Sequence, residues 1–120
     1  CDALDMIIQN GNIGETYNIG SNSEKSNLEV VESICTILND KLPLKSNANY
    51  LDLISYVKDR PGHDYRYAID NQKILLDVGW SPSYTFEKAL LETINWYIDN
   101  EFWWKTILNN NYQLNRIGEQ

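Results

Sequence analysis

Glu15-Thr16-Tyr17-Asn18-Ile19-Gly20 is the stretch on which the fold class turns. It is a short run of β-formers closing on a glycine, which predicts a short strand. No hairpin partner follows nearby. On its N-terminal side, Cys1-Asp2-Ala3-Leu4-Asp5-Met6-Ile7-Ile8 places Leu4, Ile7 and Ile8 at helical spacing, and Gly11 stops the helix. On its C-terminal side a second helix begins near Asn27. Helix, strand, helix is the rhythm of a parallel α/β sheet, although most of that sheet is missing from these residues. The chain opens inside an amphipathic pattern and without a methionine. The expectation is therefore a helix cut on its N-terminal side, in a fragment of something longer.

Further along, Ser21 to Asn27 is a polar loop. Ser26-x-x-Glu29 fits a capping box, and Asn27 is itself a good N-cap residue. The helix that follows keeps Leu28, Val31, Ile34, Cys35, Leu38 and Leu42 on one face. Its N-terminus is also a place where free N–H groups can meet an anion or a hydroxyl, so Asn27 reads either as a plain cap or as a ligand contact. Pro43 to Asn49 is a linker, and Leu51 to Val57 becomes extended by its end. Tyr65 to Ile69 is a second short extended run. Asp70 caps a helix carrying Ile74, Leu75 and Val78, which Gly79 closes. Trp80 to Tyr84 is a turn with one large buried anchor. Thr85 caps the longest helix, with Phe86, Ala89, Leu90, Ile94, Tyr97 and Ile98 on its apolar side. Trp96 and Phe102-Trp103-Trp104 add aromatic surface that at helical spacing reads as packing. Residues 105–120 form a C-terminal tail without periodic signal.

At 120 residues the chain holds at most one small domain. A net charge of −7 argues against nucleic acid or an anionic membrane as partner. No apolar run approaches a membrane span, and nothing resembles a signal peptide. Cys1 and Cys35 have no metal-ligand spacing and read as reduced thiols, which points to the cytoplasm.

Against that acidic background, Lys58-Asp59-Arg60-Pro61-Gly62-His63-Asp64-Tyr65-Arg66 is a dense pocket of positive charge, and it contains the single histidine. Pro61 fixes φ and Gly62 allows a positive one, so Arg60 to His63 should make a sharp turn. Guanidinium, imidazole and turn N–H groups together suit a phosphate or diphosphate. A surface loop in which Arg60 pairs with Asp59 or Asp64 and binds nothing is the alternative. Other motifs tempt less. Tyr84-x-x-x-Lys88 has the spacing of a dehydrogenase proton-transfer pair, yet Tyr84 precedes the Thr85 cap, so the two straddle a helix start. A single histidine supports no Ser/His/Asp set, and Gly-x-Gly-x-x-Gly is absent.

Taken together, these residues resemble the C-terminal region of the dTDP-glucose 4,6-dehydratases, which are extended short-chain dehydrogenases. The likeness rests on Gly14 to Gly20, Asn27-Leu28-Glu29-Val30-Val31, Asp59-Arg60-Pro61-Gly62-His63-Asp64 with Arg66-Tyr67-Ala68-Ile69-Asp70, Leu76-Asp77-Val78-Gly79-Trp80, and Trp96-Tyr97. It runs from Cys1 to about Trp104, and His63 leans it toward the dehydratases rather than related sugar-nucleotide enzymes. The resemblance implies an α/β, Rossmann-type fold, of which residues 1–120 supply the C-terminal nucleotide-sugar-binding region, mostly helical with a few short strands. It implies that dTDP-glucose loses water to give the 4-keto-6-deoxy sugar with bound NAD, and that the full-length parent is a homodimer. It further implies that the catalytic Tyr, Lys and Asp-Glu pair, and the NAD loop, lie upstream. Asn27, Asp59, Arg60, Pro61, Gly62 and His63 would then contact the substrate, with no catalytic, cofactor or metal residue among these 120. A nucleotide-sugar epimerase or decarboxylase, and a non-catalytic sugar-nucleotide-binding module, are the rival readings.

Overall fold

The structure is a computed structural model that describes residues 1–45, 48–63 and 68–109. Its elements are helices: α1 (Asp2–Asn10), α2 (Asn27–Lys41), a 3-10 turn (Tyr50–Leu53), α3 (Gln72–Val78), α4 (Phe86–Asp99) and α5 (Glu101–Asn109). The chain divides into two compact units, Cys1–Ser26 with Asp64–Phe86, and Asn27–His63 with Glu87–Gln120.

The first unit is held by α1 against α3. Ala3, Ile74 and Val78 form its buried core, with Met6, Ile7, Tyr17 and Trp80 packed around them. Ile74 is fully buried at 0% exposure, so α3 contributes the centre of the unit. The cap of α3 is Asn71 and not Asp70 as expected, although Asp70 accepts the Gln72 N–H at 2.9 Å just ahead of it; Gly79 ends the helix at φ 78°, as its residue type predicts. The face that α1 buries differs from expectation. Ala3, Met6 and Ile7 turn inward, while Leu4 and Ile8 stay 57% and 83% exposed. Apolar side chains surround most of this short helix, and α3 covers only one side of it.

The strand expected over Glu15–Gly20 is not formed, and no strand occurs among the described residues. A strand exists by pairing, and no run among the described residues supplies the ladder. The segment is instead pinned from the side. Asn12 N–H donates to the Tyr17 hydroxyl at 3.0 Å, and Lys73 Nζ lies 4.0 Å from the Tyr17 ring centre. Lys73 also pairs with Glu15 at 3.1 Å and Asp77 at 3.0 Å. At the far end, the buried Asn71 side chain donates to the Gly20 carbonyl at 3.0 Å. A Cβ on Gly20 would stand 2.9 Å from Ile69, so glycine permits that approach. The second extended run, Tyr65 to Ile69, lies largely outside the described residues.

The second unit is built on α2. Its Cys35 is buried, and Ile34 and Leu38 are half-buried, whereas Leu28, Val31 and Leu42 remain exposed. Asn27 is the first residue of α2 and not the residue before it; Ser26 takes the N-cap position. The longest helix is α2 with 15 residues, not the one after Thr85. That helix, α4, ends at Asp99; the Asn100 N–H makes the last helical bond, to the Trp96 carbonyl at 2.9 Å, and its side-chain amide shares that acceptor at 2.8 Å. Of the expected tail, Lys105 to Asn109 belong to α5, and 110–120 lie outside the described residues. Trp96 meets Tyr97 and Trp103 edge to face at 5.2 Å each, a packing arrangement whose outer faces are open to solvent. No helix among the described residues is long and apolar enough to cross a membrane.

Candidate functional site

The site begins with how α2 holds the segment that follows it. Asn39 is the hinge pin. Its Nδ2 donates to Asn49 Oδ1 at 2.6 Å, and its Oδ1 accepts the Tyr50 N–H at 3.0 Å. Asn49 in turn accepts the Leu51 N–H at 2.9 Å, which starts the 3-10 turn. The Tyr50 hydroxyl donates to the Leu42 carbonyl at 3.0 Å, and Cys35 Sγ lies 3.5 Å from the Tyr50 carbonyl. The sequence predicts only a linker over Pro43 to Asn49, whose last residue instead takes part in this clamp. The signal was an asparagine at the end of a polar connection, the residue type that bonds its own backbone two positions on.

From this clamp the chain runs without regular structure to Arg60 and then reverses. The His63 N–H donates to the Arg60 carbonyl at 3.3 Å, and Gly62 sits at φ 71°. Pro at the second turn position and a positive-φ glycine at the third are the marks of a type II turn. Asp59 closes it from outside. Its Oδ1 accepts the Arg60 N–H at 2.9 Å and lies 2.7 Å from His63 Nδ1. The His63 side chain is 27% exposed, against 77% for Asp59. Arg60 is exposed and lies next to that carboxylate in sequence.

Of the residues expected to bind an anion, Asp59, Arg60, Pro61, Gly62 and His63 therefore share one closed turn. Asn27 lies at the head of α2 in the same unit, with its side chain exposed. Asp64 and Arg66 lie outside the described residues. Tyr84 falls in the turn before α4 and Lys88 inside its first turn, so the pair does straddle a helix start. No group of His, Cys, Asp or Glu able to hold a metal occurs among the described residues.

The second unit also contains an open groove of about 570 Å³ between α2 and α4–α5. Ile34, Leu38, Leu90, Ile94 and Trp104 line it, with Thr93 and Glu101 as polar edges. Such a lining offers nothing to a phosphate.

A family model described as GDP-mannose 4,6 dehydratase matches residues 1–93. The chain belongs to this family. Among curated relatives, the dTDP-glucose 4,6-dehydratase of Neisseria meningitidis serogroup B is 51% identical over 118 residues, covering 97% of this chain and 33% of the relative. That of Escherichia coli is 46% identical over 118 residues, again 97% of this chain and 33% of the relative. A crystal structure of dTDP-glucose 4,6-dehydratase from Bacillus anthracis in complex with NAD superimposes with a TM-score of 0.72 at 47% identity, covering 88% of this chain and 30% of that one. The chain thus spans about a third of the length of the curated relatives it matches.

Proposed function

We propose that this chain is the substrate-binding portion of a dTDP-glucose 4,6-dehydratase, a lyase that removes water from dTDP-glucose with bound NAD. The observation that carries the reading is the closed turn Asp59–His63, which brings an exposed arginine and the histidine into one four-residue reversal of an otherwise acidic chain. Arg60 presents a planar fork that matches two phosphate oxygens at once. Pro61 and Gly62 impose the reversal, and Gly62 leaves open space beside it, with no atom within 4 Å of a Cβ placed there. His63 and Asn27 complete the grip.

These residues do not fit NAD. They contain no Gly-x-Gly-x-x-Gly loop, and no strand leading into a helix occurs among the described residues to cradle a pyrophosphate. The cofactor and the proton-transferring Tyr and Lys belong, in this reading, to the part of the protein corresponding to the other two-thirds of the relatives. The exposed side of α1, with Leu4 and Ile8, supports the same reading, because a Rossmann-type layer would cover it. The complete protein is then a cytoplasmic homodimer.

The test is Arg60→Lys in the complete protein carrying these residues. Lysine keeps the charge and loses the fork, so affinity for dTDP in calorimetric titration should fall by roughly 1–3 kcal/mol. Unchanged affinity would remove Arg60 from the site.

A further inference from the structure

Asp59 is an odd member of a diphosphate site, because a carboxylate repels the anion it is meant to hold. Its geometry explains its place there. Its Oδ1 accepts the Arg60 N–H at 2.9 Å and lies 2.7 Å from His63 Nδ1. An ionised carboxylate can only accept hydrogen bonds, so the proton of that short contact resides on Nδ1. Fixing the proton on one ring nitrogen assigns the other.

We propose that Asp59 is a positioning residue that acts on the nucleotide-sugar through His63, holding the ring by Nδ1–H so that Nε2 is the nitrogen turned to the ligand. The proposal rests on the reading of the turn as the substrate grip and adds to it a division of labour. Arg60 and His63 touch the ligand, and Asp59 holds both of them in place. The turn makes this possible. Asp59 and His63 are four residues apart, and the Pro61–Gly62 reversal, closed by the His63 N–H to Arg60 carbonyl bond at 3.3 Å, folds the ring back over the carboxylate. The ring is the more covered partner, 27% exposed against 77%, so the carboxylate's solvation is largely retained while the imidazole loses its freedom to rotate. The same oxygen also ties down the backbone N–H of Arg60, so one carboxylate orients the imidazole and anchors the residue bearing the guanidinium. Asparagine at 59 can still accept the Arg60 N–H, but its amide can equally offer a donor to Nδ1, which releases the tautomer.

The experiment uses the complete protein carrying these residues, labelled with 15N-histidine, with the His63 signals assigned by their loss in His63→Gln. At alkaline pH the unliganded protein should show Nδ1 protonated and Nε2 bare, and Asp59→Asn should shift the ring toward the Nε2–H form. Titration with dTDP should then show about a tenfold loss for Asp59→Asn and for His63→Gln. The double variant should be no weaker than His63→Gln alone, because asparagine at 59 keeps the Arg60 N–H bond and gives up only its hold on the ring. Losses that add would mean that Asp59 works on the ligand independently and would overturn the proposal. An Nε2–H ring in the unsubstituted protein would overturn it as well. The tautomer is read without ligand, so its failure is separate from failure of the substrate reading, which would appear as no dTDP binding by the unsubstituted protein.

Discussion

Replacing Gly62 by alanine tests whether the turn is held by backbone torsion or by contact. Gly62 lies at φ 71°, and a Cβ built on it meets nothing within 4 Å. The steric cost of Gly62→Ala inside this chain is therefore zero, and the whole penalty is that of placing an L-residue in the left-handed region. That penalty is about 1–2 kcal/mol. Asparagine tolerates the left-handed region better, so Gly62→Asn should cost less than Gly62→Ala despite its larger side chain. Valine, branched at Cβ, should cost most. If the strain is relieved by opening the turn, affinity falls by the fraction of molecules that remain closed. The limit for alanine is a loss of about five- to thirtyfold. The assay is calorimetric titration of the complete protein with dTDP, with thermal unfolding followed in parallel. Equal affinity for Gly62 and Gly62→Ala would refute the torsional argument. An order set by side-chain volume, with asparagine worse than alanine, would also refute it, since it would mean that the ligand approaches within contact of residue 62.

Three further outcomes concern the scaffold. The Lys73 pKa is raised, chiefly by its hydrogen bond to Asp77 and further by Glu15, against an opposing effect of burial. A raised lysine stabilises the fold fully below its unfolded value of 10.5 and loses that contribution as pH climbs through its higher folded value. Lys73→Met should therefore melt below the unsubstituted protein at neutral pH, with the gap closing above pH 10.5 and narrowing in high salt; a gap independent of pH would count against the ion pair. Ile74→Ala empties the centre of the first unit and should cost about 2–5 kcal/mol in denaturant unfolding, whereas Leu76→Ala, at a position 81% exposed, should cost little. Asn39→Ala strips the partner from the Tyr50 N–H and should cost roughly 1–3 kcal/mol, seen as faster hydrogen exchange at that amide; unchanged exchange would mean that the clamp is not formed.

What could be read from the sequence was what residue chemistry decides locally. Gly79 at a helix end and Pro61–Gly62 in a reversal each follow from one or two residues, and both stand in the structure, while the cap expected at Asp70 falls one residue later on Asn71. Tyr84 and Lys88 could likewise be refused from the position of a cap. What could not be read depends on partners. Glu15 to Gly20 has the composition of a strand, but composition does not supply a neighbour to pair with. Leu4 and Ile8 look as apolar as Ile7, and only the position of α3 determines which of them is covered. The break at Asn100 was hidden because asparagine is tolerated within a helix and also serves at its end, where its side chain can share the Trp96 carbonyl. In the candidate site, the turn was visible as a motif, while the contact of the Asp59 carboxylate with His63 Nδ1 depends on how the reversal brings two residues four apart together.

The bond from Asn71 to the Gly20 carbonyl spans 51 residues, and the chain between them includes all of α2 and the basic turn. By contrast, the clamp from Asn39 to Tyr50 spans 11. Closing the longer loop costs roughly 1.4 kcal/mol more in chain entropy, and on a ribosome it must also wait. The Asn39 clamp can form as soon as Tyr50 has emerged, but α1 and the Tyr17 segment have no α3 to meet until about Val78 is made. At synthesis rates of about 5–20 residues per second, the apolar side of α1 stays uncovered for several seconds. During that interval the Asn39 clamp can already be closed while the contact of α1 with α3 cannot, so local separation orders these two contacts.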